Sequence, residues 1–109
     1  MNEKQLRTHL ESRIPESGPF GRPGPLRGGL LNLAWRVPCG DGSIVVKHAP
    51  PHIASAPDVP LDPSRLTFEA RALAALAPGG RLAHLARGPV RPPRPIDFCP
   101  VSATLVMED

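Results

Sequence analysis

Aromatic residues are scarce in this sequence, and so are cysteines. The 109 residues include one Trp, three Phe and no Tyr. Proteins that bind nucleic acid combine a clustered basic patch with stacking aromatics. Here the net charge is +3 with the arginines scattered along the chain, so we do not expect nucleic-acid binding. Cys39 and Cys99 are far apart, and without a secretion signal they are typical of free thiols in a reducing compartment.

Long apolar runs and metal-ligand spacings are also missing. The first 14 residues are charged throughout and do not resemble a signal peptide. No segment approaches the roughly 20 apolar residues that cross a bilayer, and no C-x-x-C or H-x-x-x-H spacing predicts a metal site. We therefore expect a cytoplasmic protein with no membrane partner. What the chain has in abundance is 16 Pro and 10 Gly, which predict one small core with long irregular loops.

Residues 43–47 form the clearest predicted strand, because they hold a run of three β-branched side chains without Gly or Pro. The preceding Asp41 and Gly42 are typical of a hairpin turn, with residues 31–37 as the partner strand. Lys47 ends the strand. Lysine is rarely buried unless its charge is paired, so the strand predicts a carboxylate nearby.

The clearest predicted helix begins at Asp62, a favoured N-cap followed by Pro63, and ends at residue 76 or 77. On a helical wheel its apolar side chains share one face, with Glu69 at the border of that face. A carboxylate there costs stability unless it is paired. Two interpretations stay open: Glu69 reaches water while Lys47 snorkels, or the two side chains pair with each other.

The predicted fold class is α+β: a small antiparallel sheet with one long helix packed on it, plus a short N-terminal helix. The remaining predicted elements, in chain order, are a capped helix over residues 2–13, a Pro/Gly-rich linker to residue 27, irregular stretches at 48–61 and 81–94, and strands at 95–99 and 103–107. We expect residues 1–27 to be a helix and linker, and residues 28–109 to form the main unit.

This order of elements resembles the N-terminal lobe of the protein-kinase-like fold. Residues 44–47 stand where that fold has its V-A-I-K-type strand, and Glu69 stands where it has the partner glutamate of the helix. The details are most similar to aminoglycoside phosphotransferases and, above all, 5-methylthioribose kinases. The motifs that carry this similarity are residues 31–33 (LNL), 45–50 (VVKHAP), 59–61 (VPL) with Arg65 and Glu69, and 105–109 (LVMED). The resemblance covers roughly residues 28–109.

The resemblance implies an ATP site. By it, Lys47 holds the α- and β-phosphates of ATP, and Glu69 fixes Lys47. The segment that would cover the phosphates comprises Gly28, Gly29, Leu30 and Asn32. Met107 would stand beside the adenine, and the carbonyl of Glu108 would be the first hinge acceptor. Taken without the resemblance, the glycine pair is more typical of a plain tight turn than of a phosphate-binding loop.

The sequence also departs from the family pattern, because it ends where the family has its hinge. We expect the catalytic aspartate to lie beyond the chain end, so no catalytic residue and no metal ligand is assigned, and Mg²⁺ is expected only with a second lobe. The chain is expected to be a fragment, the ATP-binding lobe of a kinase that phosphorylates a sugar-like hydroxyl when complete. The lobe alone is expected to be inactive.

Two other classes of function stay open. The first is a non-catalytic module that uses the lobe surface to bind another protein, such as a separate C-terminal lobe. The second is a basic RNA-binding domain, which only the loop arginines support. The expected partners of the kinase lobe are a nucleotide and, in a complete enzyme only, a small-molecule substrate.

Overall fold

The computed structural model describes residues 1–27, 31–85 and 92–109. It confirms the predicted α+β class, with two α-helices, a five-stranded antiparallel sheet and a separate two-stranded sheet. The helices are α1 (Glu3–Arg13) and α2 (Arg65–Leu76). The strands are β1 (Gly24–Pro25), β2 (Leu33–Cys39), β3 (Gly42–His48), β4 (His52–Ile53), β5 (Ala56–Pro60), β6 (Pro95–Cys99) and β7 (Thr104–Glu108). Among the described residues, no helix is both long and apolar enough to cross a membrane.

Helix α1 begins with the capping box that the sequence predicts. The Asn2 side chain accepts a hydrogen bond from the Gln5 backbone N–H at 2.8 Å, and the Asn2 N–H donates to Gln5 Oε1 at 2.9 Å. The helix ends at Arg13, just before Pro15, which cannot donate the backbone bond that would continue it. Its apolar stripe is fully buried at Leu6 and Leu10.

The central hairpin of the sheet joins β2 to β3, as predicted, although β2 begins and ends two residues later than the sequence indicates. Gly40 begins the two-residue turn and has φ +54°. Glycine adopts this left-handed conformation without the Cβ clash of other residues. The full strand order is β1-β2-β3-β7-β6, so β3 lies in the middle of the sheet.

Strand β3 contributes to two different cores because successive side chains point to opposite faces. Ile44 and Val46 are buried in a cluster with α1, whereas Val45 packs on the cluster that includes α2. The α1-side cluster consists of Leu6, Leu10, Ile14, Phe20, Trp35, Val37, Ile44, Val46 and Val106. The α2-side cluster consists of Ala49, Leu66, Ala70, Ala103, Leu105 and Met107. The sheet is thus covered on both faces.

The prediction that residues 48–61 are irregular is wrong in part. Strands β4 and β5 pair antiparallel, with His52 opposite Pro60 and Ile53 opposite Ala56. The four prolines of this stretch argue against a central strand, because proline lacks the N–H that a ladder needs. A two-stranded sheet has only edge strands, and edges tolerate proline where its nitrogen faces away from the partner.

The predicted start of the long helix is also corrected. Helix α2 begins at Arg65, and its N-cap is Ser64, which makes no side-chain capping bond. Asp62 instead accepts a bond from the Ser64 N–H at 2.9 Å. The Arg65 N–H bonds to the Asp62 carbonyl and the Thr67 N–H to the Ser64 carbonyl, each spanning three residues. Such tight 3-10 geometry leads into many helices, and Asp62 therefore closes a turn before the helix.

The C-terminal part of the chain follows the sequence closely. Strand β6 has the predicted bounds, and β7 begins and ends one residue later than predicted. In the stretch predicted to be irregular, the structure describes a 3-10 turn at Ala83–Leu85. The predicted loop arginines Arg87 and Arg91 lie outside the described residues.

Candidate functional site

The candidate site is built on the end of β3 and the middle of α2. Lys47 is paired across the sheet with Ala34 of β2 and Leu105 of β7. These pairings place its side chain on the α2 face, two residues after Val45. Strands on both sides hold the Lys47 backbone, so the origin of its flexible side chain is fixed.

Glu69 reaches the same place from α2. It lies between Leu66 and Ala70, which are 1% and 7% exposed and anchor the helix on the sheet. Side chains three and four residues apart share a helix face, so burying Leu66 brings Glu69 to the border of the contact. The wheel prediction for Glu69 thus agrees with its position.

The two side chains meet in an ion pair. Lys47 Nζ donates to Glu69 Oε1 at 2.5 Å, and the Lys47 and Glu69 side chains are 33% and 35% exposed. The contact that the sequence left open is therefore formed, and the alternative of two separate water-reaching side chains is wrong. Partial exposure leaves the pair within reach of a ligand, while its half-buried position weakens competition from water.

Apolar side chains adjoin this pair along the same face of the sheet. Val45 is opposite Met107 in the β3–β7 register. It lies two residues before Lys47 on β3 and therefore on the same face of the sheet. Met107 is 3% exposed and belongs to the α2-side cluster, so mainly the half-buried Val45 offers apolar surface there. A charged pair next to an apolar strip suits a ligand that has an anionic end and a flat apolar end.

The strand end beyond Met107 is held by two further ion pairs. Glu108 pairs with Arg94, whose Nε lies 3.9 Å from Oε2, and Glu108 Oε1 also accepts from the Arg94 backbone N–H at 3.0 Å. Asp109 pairs with Arg36 at 2.6 Å and accepts from the Ser43 hydroxyl at 2.5 Å. The hydrogen bond from Arg36 holds the pKa of the Asp109 carboxyl below its ordinary value. These contacts fix the backbone of Glu108, the residue whose carbonyl the family resemblance implicates.

Asn32 lies just before β2, and its side chain is engaged by a residue whose role the sequence did not reveal. Its Oδ1 accepts from Arg65 Nε at 3.1 Å. The same guanidinium donates to the Leu31 carbonyl at 2.9 Å, the Pro50 carbonyl at 3.2 Å and the Asp62 carbonyl at 2.9 Å. Arg65 therefore joins the segment before β2 to the start of α2.

The other predicted residues of the phosphate-covering segment are Gly28, Gly29 and Leu30, and they lie outside the described residues. Asn32 is thus the member of that segment whose position is known. Arg65 matched the family pattern, but three of its acceptors are backbone carbonyls. Because every residue carries a carbonyl, the sequence holds no signal for such acceptors.

Metal-binding and thiol chemistry find little support in the part of the chain that the structure describes. Those residues contain no group of three or more His, Cys, Asp or Glu side chains that could hold a metal ion. Cys39 and Cys99 are both free thiols. A side-chain hydrogen bond with Ser102 lowers the pKa of the Cys99 thiol, but Cys99 lies on the edge strand β6, which β7 separates from β3.

The chain is similar to two curated kinases over a part of their length. It is 32% identical over 89 residues to the 4-hydroxytryptamine kinase of Psilocybe cyanescens, which covers 77% of this chain and 25% of that relative. It is 27% identical over 109 residues to the 4-hydroxytryptamine kinase of Psilocybe cubensis, which covers 95% of this chain and 29% of that relative. No protein-family model matches the chain. The similarity is therefore a distant one, to small-molecule kinases.

Proposed function

We propose that this chain is the ATP-binding lobe of a small-molecule kinase. The observation that carries the proposal is the Lys47–Glu69 ion pair, formed between the central strand and the helix packed on it. Lysine is a flexible point charge, and a fixed carboxylate partner aims it. In kinases of this general fold, that lysine–glutamate pair must be in place for phosphoryl transfer. The similarity to two kinases supports the same class of function.

The described residues fit the nucleotide in two respects. The Lys47 ammonium has three N–H donors, and its hydrogen bond to Glu69 uses one of them, so others are free to meet phosphate oxygens. Val45, two residues before Lys47 on the same face, offers apolar surface, where an adenine ring would lie beside Met107. In this proposal Gly28, Gly29, Leu30 and Asn32 cover the phosphates, and the Glu108 carbonyl receives the adenine amino group.

The division of the chain follows from the same proposal. Residues 28–109 form the lobe up to its hinge, and residues 1–27 contribute the helix and linker that pack on its far face. We propose that a C-terminal lobe supplies the catalytic aspartate and the Mg²⁺ ligands, since phosphoryl transfer needs a positioned hydroxyl and a metal held by carboxylates.

The acceptor in the complete enzyme is a hydroxyl of a small molecule. The resemblance to 5-methylthioribose kinases favours a sugar-like hydroxyl. The relatives are named for 4-hydroxytryptamine, which also carries a hydroxyl. A hydroxyl acceptor is the chemistry common to both.

Equilibrium binding of ATP tests the proposal. The wild-type chain is titrated with ATP, alongside Lys47→Ala and Glu69→Gln. We expect binding by the wild type, loss of binding by Lys47→Ala, and at least about tenfold weaker binding by Glu69→Gln, equivalent to about 1.4 kcal/mol. The glutamine keeps the shape of the side chain and removes only its charge.

Lys4→Ala is the matched control, because Lys4 is an exposed lysine on α1, on the other face of the sheet. It changes the net charge as Lys47→Ala does. Equal losses in both variants would mean that ATP responds to net charge alone and would contradict the proposal, as would unchanged affinity in Lys47→Ala.

A further inference from the structure

Arg65 makes hydrogen bonds to four separate residues that come from three stretches of the chain. Its guanidinium reaches Leu31 and Asn32 before β2, Pro50 after β3, and Asp62 before α2. All four acceptors are uncharged oxygens. Arginine can do this because its planar group carries five N–H donors in a fixed fork.

The contacts also keep Arg65 away from Glu69. The two residues are one helical turn apart, a spacing at which arginine and glutamate side chains often pair. Instead, Glu69 bonds Lys47, and within the described residues Arg65 takes part in no ion pair. Glu69 therefore stays available for Lys47.

A second contact acts on the same backbone position. The Leu31 carbonyl that accepts from Arg65 also accepts from the Ala54 N–H at 3.4 Å, next to β4. Leu31 itself is 46% exposed, so apolar burial does little to hold it. The segment before β2 is thus fixed mainly by polar contacts, of which Arg65 makes two.

We infer that Arg65 is a positioning residue that holds Leu31 and Asn32 at the edge of the nucleotide site. The inference rests on the proposed function for its effect on ATP, but its structural part can be measured without ATP. Without the Arg65 guanidinium bonds, Leu31 and Asn32 would no longer be held in place beside the residues proposed to cover the phosphates. The freed positive charge at position 65 would then compete with Lys47 for Glu69.

Arg65→Lys tests the role of the fork because it keeps the charge and loses the geometry. Arg71→Lys is the control: Arg71 is an exposed arginine of the same helix. Two readouts are taken at a temperature where circular dichroism shows both variants folded: the ATP dissociation constant and amide hydrogen exchange at Ala54. We expect Arg65→Lys to raise the ATP dissociation constant at least tenfold and to speed amide hydrogen exchange at Ala54 at least tenfold. We expect Arg71→Lys to change neither quantity.

Wild-type ATP affinity in Arg65→Lys would overturn the inference, as would unchanged exchange at Ala54. If the wild-type chain itself does not bind ATP, the proposed function fails, and the exchange at Ala54 alone decides whether Arg65 holds the segment. If Arg65→Lys does not fold, Asn32→Ala is used in its place, because it removes one of the four hydrogen bonds of Arg65. We expect Asn32→Ala to raise the ATP dissociation constant about fivefold. An unchanged affinity in Asn32→Ala would then count against the inference.

Discussion

The two faces of the sheet differ in the size of their buried side chains and in where their ion pairs lie. The α1 face buries large side chains, among them Trp35 and Phe20, and its ion pair joins Arg13 of α1 to Asp97 on the edge strand β6. The α2 face has a smaller cluster, half of it alanine, with the Lys47–Glu69 pair at its border. Strands β3 and β7 contribute side chains to both. The comparison indicates that stability comes chiefly from the α1 face, while the α2 face uses part of its area for a charged site.

The largest expected effects come from truncating one buried leucine on each helix. Leu10→Ala and Leu66→Ala should each lower the free energy of unfolding by about 2–5 kcal/mol, because both side chains are fully or almost fully buried. Only Leu66→Ala should also weaken ATP binding, since Leu66 supports the turn that carries Glu69. Denaturant unfolding and ATP titration check this.

Val101→Ala is the control for the truncations, because Val101 is 96% exposed and should change stability by less than about 0.5 kcal/mol. Equal loss of ATP affinity in the two leucine variants would contradict the division between the faces.

A smaller effect is expected at the start of α1. Asn2→Ala removes the acceptor of the capping box and should cost about 1 kcal/mol, with ATP affinity unchanged. Asn2→Ser keeps a capping oxygen and should restore most of the loss. If Asn2→Ala left the unfolding midpoint in denaturant unchanged, α1 would contribute less to the α1 face than its buried leucines indicate.

Mild acid should weaken the α1 face of the sheet. His9 lies on α1, and His48 points to the α1 face because it follows Ile44 and Val46 at alternate positions. Burial lowers the pKa of both histidines from 6.5. The unfolded chain then takes up protons first, so stability is full above pH 6.5 and falls as the pH drops toward the lowered values.

Thermal unfolding between pH 7.5 and 5.5 measures this dependence. The groups facing His9 are Asp97, which raises its pKa, and Arg13, which lowers it further; His48 Nδ1 lies 3.3 Å from Thr104 Oγ1. The double variant His9→Gln/His48→Gln should flatten the profile. A melting temperature that rises toward pH 5.5 would have the opposite sign to the one expected.

The smallest effect on stability is expected from breaking the ion pair. Glu69→Gln should change the free energy of unfolding by less than about 1 kcal/mol, because ion pairs with this much exposure contribute little. A loss above about 2 kcal/mol in denaturant unfolding would mean that the pair is a structural element of the α2 face, which would reverse the comparison.

Local signals in the sequence account for the parts of the fold that it predicts. The capping box at Asn2 and the turn at Gly40 each depend on neighbouring residues. The need of two border charges for partners made the Lys47–Glu69 contact one of two open interpretations, and the structure selects it. The sequence could also place Glu69 relative to the apolar face of α2, because helical periodicity fixes that position.

The parts that the sequence did not predict depend on distant or backbone groups. The four bonds of Arg65 go to residues up to 34 positions away, and three of the acceptors are carbonyls. The β4–β5 pairing was not predicted because the stretch is rich in proline, which argues against a strand but is tolerated at the edge of a sheet. The predicted start of α2 was too early, because the Asp62 carboxylate accepts a backbone N–H in a tight turn just as it would at a helix N-cap.

A structure of the chain with ATP at millimolar concentration tests the central claim most directly. The account predicts an α- or β-phosphate oxygen within about 3 Å of Lys47 Nζ, with Glu69 still in contact with the ammonium. It also predicts the adenine along Val45, on the α2 face. ATP bound on the α1 face, or no ATP bound at that concentration, would contradict the claim that this face is a nucleotide site.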